Sequence, residues 1–173
     1  MPVYQILSTT PRLDERIYEV AASLHSEPDG EAVELAKGGK VVRYSRSEES
    51  TALDREYFTN VWPNIQQAEK EVKLEVPKHK PTVFRLENGW LSTSPNEVGT
   101  IIPIRNRDDT FEDRIDIESA EGESYRDLKL APRTMVVLSG DVRFRISDRV
   151  PFDLILHPTS PVRKVNLATV EGT

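Results

Sequence analysis

The absence of cysteine removes thiolate nucleophiles, thiolate metal sites and disulfides at once, leaving three histidines as the strongest proton-transfer and metal-ligating groups. His25 closes a predicted helix, where a positive charge favours the dipole. His79 lies in the charged linker Lys78-His79-Lys80, and both read as exposed. His157 alone falls among predicted strands. It can face a barrel interior as a ligand or acid/base group, or end a strand before the turn that Pro158 signals. As a ligand it would need Asp141, Asp148 or Asp153 beside it, and their spacing does not demand that. Asp108-Asp109 and Glu48-Glu49 fall in predicted loops and read as solvated charge. Ser94 and Ser139 have no neighbouring base to make a nucleophile of them. No nucleophile elbow, phosphate loop, dinucleotide fingerprint or zinc-protease helix motif occurs.

Arginines offer the other chemistry. Arg143 and Arg145 alternate with Val142, Phe144 and Ile146, so both point to the same side of one strand. Buried together without acids they would be costly, so they either lie outside or meet an anionic ligand. Arg85 belongs to another strand expected to line the same barrel. Phe84 and Trp90 form an apolar wall or pack in the core. The formal net charge of -6 argues against a nucleic-acid partner. A local basic patch at Arg143, Arg145 and Arg149 stays open.

Two helices and a run of strands must position these groups. Val3 to Leu7 reads as a short strand. Thr10-Pro11 reads as an N-cap followed by proline at the first helical position. Ile17, Val20, Ala21 and Leu24 then share one helical face until a turn at Pro28-Asp29-Gly30. Lys40 to Tyr44 is a further strand. Leu53, Tyr57, Val61, Ile65 and Ala68 form the stripe of a second helix that Pro63 must kink or divide. Neither helix pairs a basic face with a strongly apolar one, so neither reads as a membrane binder. No stretch has the ~20 apolar residues of a span, and the first residues do not form a secretory signal, so a cytoplasmic protein is expected.

Beyond Pro77, short β-rich runs alternate with turns. They cover Pro81 to Leu86, Gly99 to Ile104, Arg114 to Ile117, Asp127 to Leu130, Thr134 to Leu138, Val142 to Ile146, Phe152 to Leu156 and Val162 to Val170. This spacing predicts a sandwich or barrel. The 173 residues suit one domain, with residues 1–76 as helix-bearing support and 77–173 as the β core.

The order of these pieces resembles the Fe(II)/2-oxoglutarate-dependent dioxygenases. Phe84-Arg85-Leu86-Glu87-Asn88-Gly89-Trp90-Leu91 resembles that family's approach to its first iron ligands. Thr100-Ile101-Ile102-Pro103-Ile104, Phe111 to Ile117, and Leu130-Ala131-Pro132 to Gly140 follow in the family's order. Val162 to Leu167 is similar to its last strand, where an arginine clamps the 2-oxoglutarate carboxylate. The resemblance covers about half the chain, roughly Pro81 to Val170, and implies a mainly β, double-stranded β-helix (a jelly roll) with helices outside. It also implies Arg163 as the carboxylate clamp, with Lys164 on the opposite face.

The departures from the family fall on its iron ligands. Two histidines and a carboxylate hold that metal. Ser94 and Asn96 stand where the first histidine and the carboxylate belong, and Val142 to Arg149 contains no histidine. The resemblance therefore implies a scaffold without the iron site, needing neither Fe(II) nor 2-oxoglutarate. Its expected ligand is a small organic molecule such as a carboxylate. Three functions follow from it. One is a metal-independent isomerase, cyclase or lyase, with His157 and Asn96 catalytic and Arg163, Arg85, Arg143, Arg145, Trp90, Ser94 and Phe84 binding substrate. The second is a non-catalytic pseudoenzyme or binding module. The third is a true oxygenase with non-standard ligands and both cofactors.

Overall fold

The computed structural model describes residues 2–26, 30–110, 112–146 and 150–162. Among these, twelve strands and three α-helices follow the order β1 (Tyr4–Ser8), α1 (Pro11–Ser26), β2 (Glu31–Glu34), β3 (Lys40–Arg43), α2 (Glu48–Glu56), α3 (Trp62–Ala68) and β4 (Val72–Leu74). The remainder is strand: β5 (Thr82–Asn88), β6 (Leu91–Ser92), β7 (Glu97–Pro103), β8 (Asp113–Ser119), β9 (Ser124–Leu130), β10 (Thr134–Ser139), β11 (Val142–Ile146) and β12 (Pro151–Pro161). No helix among the described residues is long and apolar enough to cross a membrane.

Two antiparallel sheets face each other. The larger has the order β1-β10-β7-β12-β5-β3-β2, with β4 added to β12, and the smaller has the order β6-β11-β8-β9. From β5 to β12 the chain crosses between the sheets at every step except β8 to β9, which pair with each other in the small sheet, and the strands nest in pairs, which is the winding of a double-stranded β-helix. Its interior is a closed apolar layer of Ile101, Ile115, Ile117, Val136, Phe144 and Phe152 with their neighbours. A second core lies on the other side of the large sheet. There Val83, Val98, Ile102 and Ile155 meet Leu13, Ile17, Leu53 and Ile65 from the helices. The large sheet is thus covered on both faces, which decides how β12 must be read.

Local signals account for the helices. Thr10 Oγ1 accepts the Leu13 amide and caps α1 ahead of Pro11. Ser47 and Ser50 form a reciprocal capping box at α2. The interruption expected at Pro63 takes the form of a π-helical turn, Tyr57–Val61, joining α2 to α3. The Trp62 amide there reaches back to the Tyr57 carbonyl. The wider turn takes up the strain of a proline that can donate no bond of its own.

The turn expected at Pro158 to Pro161 is instead part of β12. Pro158 sits opposite Glu97, its carbonyl accepts the Glu75 amide at 2.7 Å, and Thr159 to Pro161 pair with β4. Proline is tolerated because this end of the strand exchanges one neighbour for another. The strand expected over Val162 to Val170 lies outside the described residues from 163 onward. Strands β2 and β4 are additions to the elements expected: β2 is short, and β4 lies in the alternating run Glu71 to Val76.

Candidate functional site

The barrel mouth where the resemblance implies an iron site is formed by the β6–β7 loop and the β10–β11 turn. Thr93 fastens them, its amide donating to the Val142 carbonyl at 2.8 Å and its hydroxyl to Gly140. Ser94 and Asn96 are exposed, and the Ser94 amide donates to Glu97 Oε1 at 3.0 Å. Across the mouth, the Val142 side chain enters the apolar interior. Among the described residues no group of three or more His, Asp or Glu side chains is placed to hold a metal ion. A hydroxyl and a carboxamide facing solvent do not fit Fe(II). Arg163 and Asp148 lie outside the described residues.

His157 faces away from the barrel, contrary to the interior position expected for a catalytic group. Residues Phe152 and Leu154 of β12 point into the barrel, and by alternation Asp153, Ile155 and His157 point to the helices. The ring is fully buried. Its Nδ1 lies 2.9 Å from the Glu75 carbonyl, which can only accept, so Nδ1 carries the proton. Nε2 then accepts from the Tyr57 hydroxyl at 2.9 Å, and Tyr57 accepts from Thr100 Oγ1, also at 2.9 Å. Trp62 lies against the imidazole with ring centres 4.8 Å apart. Burial lowers the pKa of His157, opposed by its bond to Glu75, and so favours the neutral ring. Burial likewise pushes the Tyr57 phenol far above its ordinary value.

Earlier on the same strand, Asp153 meets Asp54 in the same layer. Both are buried, and Arg46 Nη1 pairs with Asp54 Oδ2 at 2.8 Å. Burial first, then Asp54 beside it, raise Asp153 well above the carboxylate range, against the pull of Arg46. The raised value favours the neutral carboxyl at Asp153, beside the ion pair of Arg46 and Asp54. Both ring nitrogens of His157 are committed to protein partners, and the residue has no exposed surface for a substrate.

Of the remaining predicted residues, three come together, but outside the barrel. Arg143 and Arg145 project from the outer face of the small sheet, each with its guanidinium 4.6 Å from the centre of the Trp90 ring. Arg126 lies over the same ring at 5.2 Å. Glu118 pairs with Arg126 and Arg143, and Asp116 with Arg145 at 2.8 Å. Trp90 is therefore a stacking platform for cations rather than an interior wall. Arg85 points to the helix-facing side of the large sheet and pairs with Glu87 at 2.8 Å. Among the described residues of the predicted set, only Phe84 enters the barrel layer, 6.3 Å from Phe152 between ring centres. Asn96 and His157 are not brought into one site. Alternation places Arg143 and Arg145 on one face but leaves open which face is covered.

No protein-family model and no curated protein sequence matches the chain. Among solved structures it is similar to a Shewanella oneidensis protein provisionally named an oxygenase, with 16% identity and a TM-score of 0.49 over 90% of this chain and 82% of that one. A Pseudomonas putida prolyl-4-hydroxylase gives 9% identity and a TM-score of 0.46 over 91% and 93%. A C-terminally truncated Neurospora crassa protein in its apo form gives 8% and 0.42 over 91% and 82%. The class of fold rests on the strand order above: a double-stranded β-helix with helices on its large sheet.

Proposed function

We propose that this chain is a non-catalytic binding module on a dioxygenase-like scaffold that has lost its iron site, and that it takes a small organic anion outside the barrel. The observation that carries this reading is the filled interior. Phe144, Phe152, Ile101 and Ile117, none more than marginally accessible, occupy the space in which a barrel enzyme would hold its substrate. Ser94 and Asn96 facing solvent, and His157 committed to Tyr57 and Glu75, also support it. Isomerisation, cyclisation or elimination would need an acid or base beside a cavity. Neither His157 nor Asn96 has one.

Calorimetric titration with Mn(II), then with 2-oxoglutarate, tests the reading. The expected result is no stoichiometric metal binding and no metal-dependent binding of 2-oxoglutarate. Saturable binding of both in a one-to-one ratio would restore the oxygenase.

A further inference from the structure

The base of the barrel, opposite the mouth just described, holds a buried guanidinium with unused donors. Arg105 follows β7 and is 7% exposed. Its Nη2 donates to the Leu130 carbonyl at 3.1 Å and pairs with Asp113 at the start of β8. Its Nε and Nη1 have no hydrogen-bond partner. Buried donors of this kind are rare, and each unmatched one leaves a desolvation penalty uncompensated. Arg105 also lines a cleft of about 230 Å³ between α1, the β7–β8 loop and the β9–β10 turn.

We infer that this cleft binds a small monocarboxylic acid, with Arg105 and Arg133 holding the carboxylate. The inference rests on the binding-module reading and gives its ligand a place and a class. Arg133 stands at the rim with φ of 63°, and forms no ion pair among the described residues. The third arginine, Arg107, is committed to Glu15 at 2.8 Å and lies over the Tyr18 ring. Two aspartates also line the cleft, and both are used locally. Asp14 accepts from the Thr9 hydroxyl, and Asp109 accepts the Asn106 amide at 2.9 Å.

These charges select the ligand. Leu130 and Asp113 take Nη2, the nitrogen shared by both forks of Arg105, so Arg105 offers single bonds from Nε or Nη1 and the planar fork that matches a carboxylate is that of Arg133. Asp113 already balances Arg105 and Glu15 balances Arg107, leaving Arg133 against Asp14 and Asp109, so a dianion would be repelled and only a single negative charge, held at Arg133 and the unused Arg105 donors, is tolerated. Ile17, Tyr18, Pro103 and Pro132 offer apolar surface to a short hydrocarbon tail.

Calorimetry on the full chain with benzoate, succinate and inorganic phosphate tests this. Saturable benzoate binding is expected, with succinate and phosphate weaker. The paired variant Arg105→Gln/Asp113→Asn, which removes both buried charges together, should weaken benzoate by about tenfold or more. Arg133→Gln, at the rim, should weaken it by a smaller factor and decides the matter if the paired variant does not fold. Absence of benzoate binding overturns the inference and leaves the Arg105 donors to water. So does phosphate binding tighter than benzoate, or benzoate binding indifferent to Arg133 and Arg105. Metal-dependent 2-oxoglutarate binding would sink the wider reading by a separate signal, scored independently of benzoate.

Discussion

The Tyr57 hydroxyl lies 2.9 Å from His157 Nε2, joining two residues 100 positions apart across the helix–sheet boundary. The π-helical turn begins at Tyr57 and the strand alternation turns His157 the same way, so each element supplies half of one bond. Tyr57→Phe keeps the ring and deletes the bond, leaving Nε2 and Thr100 Oγ1 without their partner in a dry layer. The expected loss is about 1–3 kcal/mol in urea denaturation. A double-mutant cycle with Thr100→Val should show the two changes to be non-additive. Additive losses would mean that the three groups do not act as one network.

The paired carboxyls predict how stability depends on pH. Asp153 has a raised pKa in the folded protein, so folding takes up a proton between the ordinary carboxylate value and the raised one. Its contribution is present at low pH and is lost as pH rises through the raised value. His157 works in the opposite sense: its pKa is lowered, so stability falls as pH drops below about 6.5. Asp153→Asn removes the first effect alone. Melting temperature against pH should show the variant gaining on the wild type at alkaline pH and keeping the acid-side decline. Parallel curves would show that Asp153 is already ionised.

How much of this is legible in the sequence depends on whether a strand has one covered face or two. In β11 the alternation of Val142, Phe144 and Ile146 with two arginines is plain, because one face is core and the other is water. In β12 it is not. Phe152 and Leu154 face the barrel while Asp153, Ile155 and His157 face the helices, and burial on both sides erases the polar–apolar signal. Arg85 is obscured for the same reason. Arg46 and Asp54 are eight residues apart, but Asp153 comes from a distant strand, and nothing local announces their meeting. Arg105, a single arginine after a strand, carries no pattern of its own. Its importance comes from Asp113 and the cleft beside it.

The Trp90 face predicts small effects. Arg143 and Arg145 are about half exposed, and each has an acidic partner as well as the indole. Arg143→Ala and Arg145→Ala should each cost less than about 1 kcal/mol, and that cost should shrink in high salt. Urea midpoints at low and high ionic strength read this directly. A loss of several kcal/mol at either position would mean that the outer face carries structural weight that a solvated lattice cannot.

The barrel interior predicts a large effect. Phe144 is fully buried, with its ring 6.0 Å from Phe152 in an edge-to-face arrangement and Ile117 opposite it in the register of β8. Phe144→Ala deletes a ring from a layer in which both sheets are tied by hydrogen bonds and cannot close over the gap. Transfer and cavity terms then add, for a loss of about 3–5 kcal/mol in urea denaturation. A substrate-holding barrel behaves differently, because side chains that line a hollow already lack neighbours on one side and lose less when trimmed. A loss below about 1 kcal/mol would therefore point to a hollow interior. It would also remove the observation on which the binding-module reading stands.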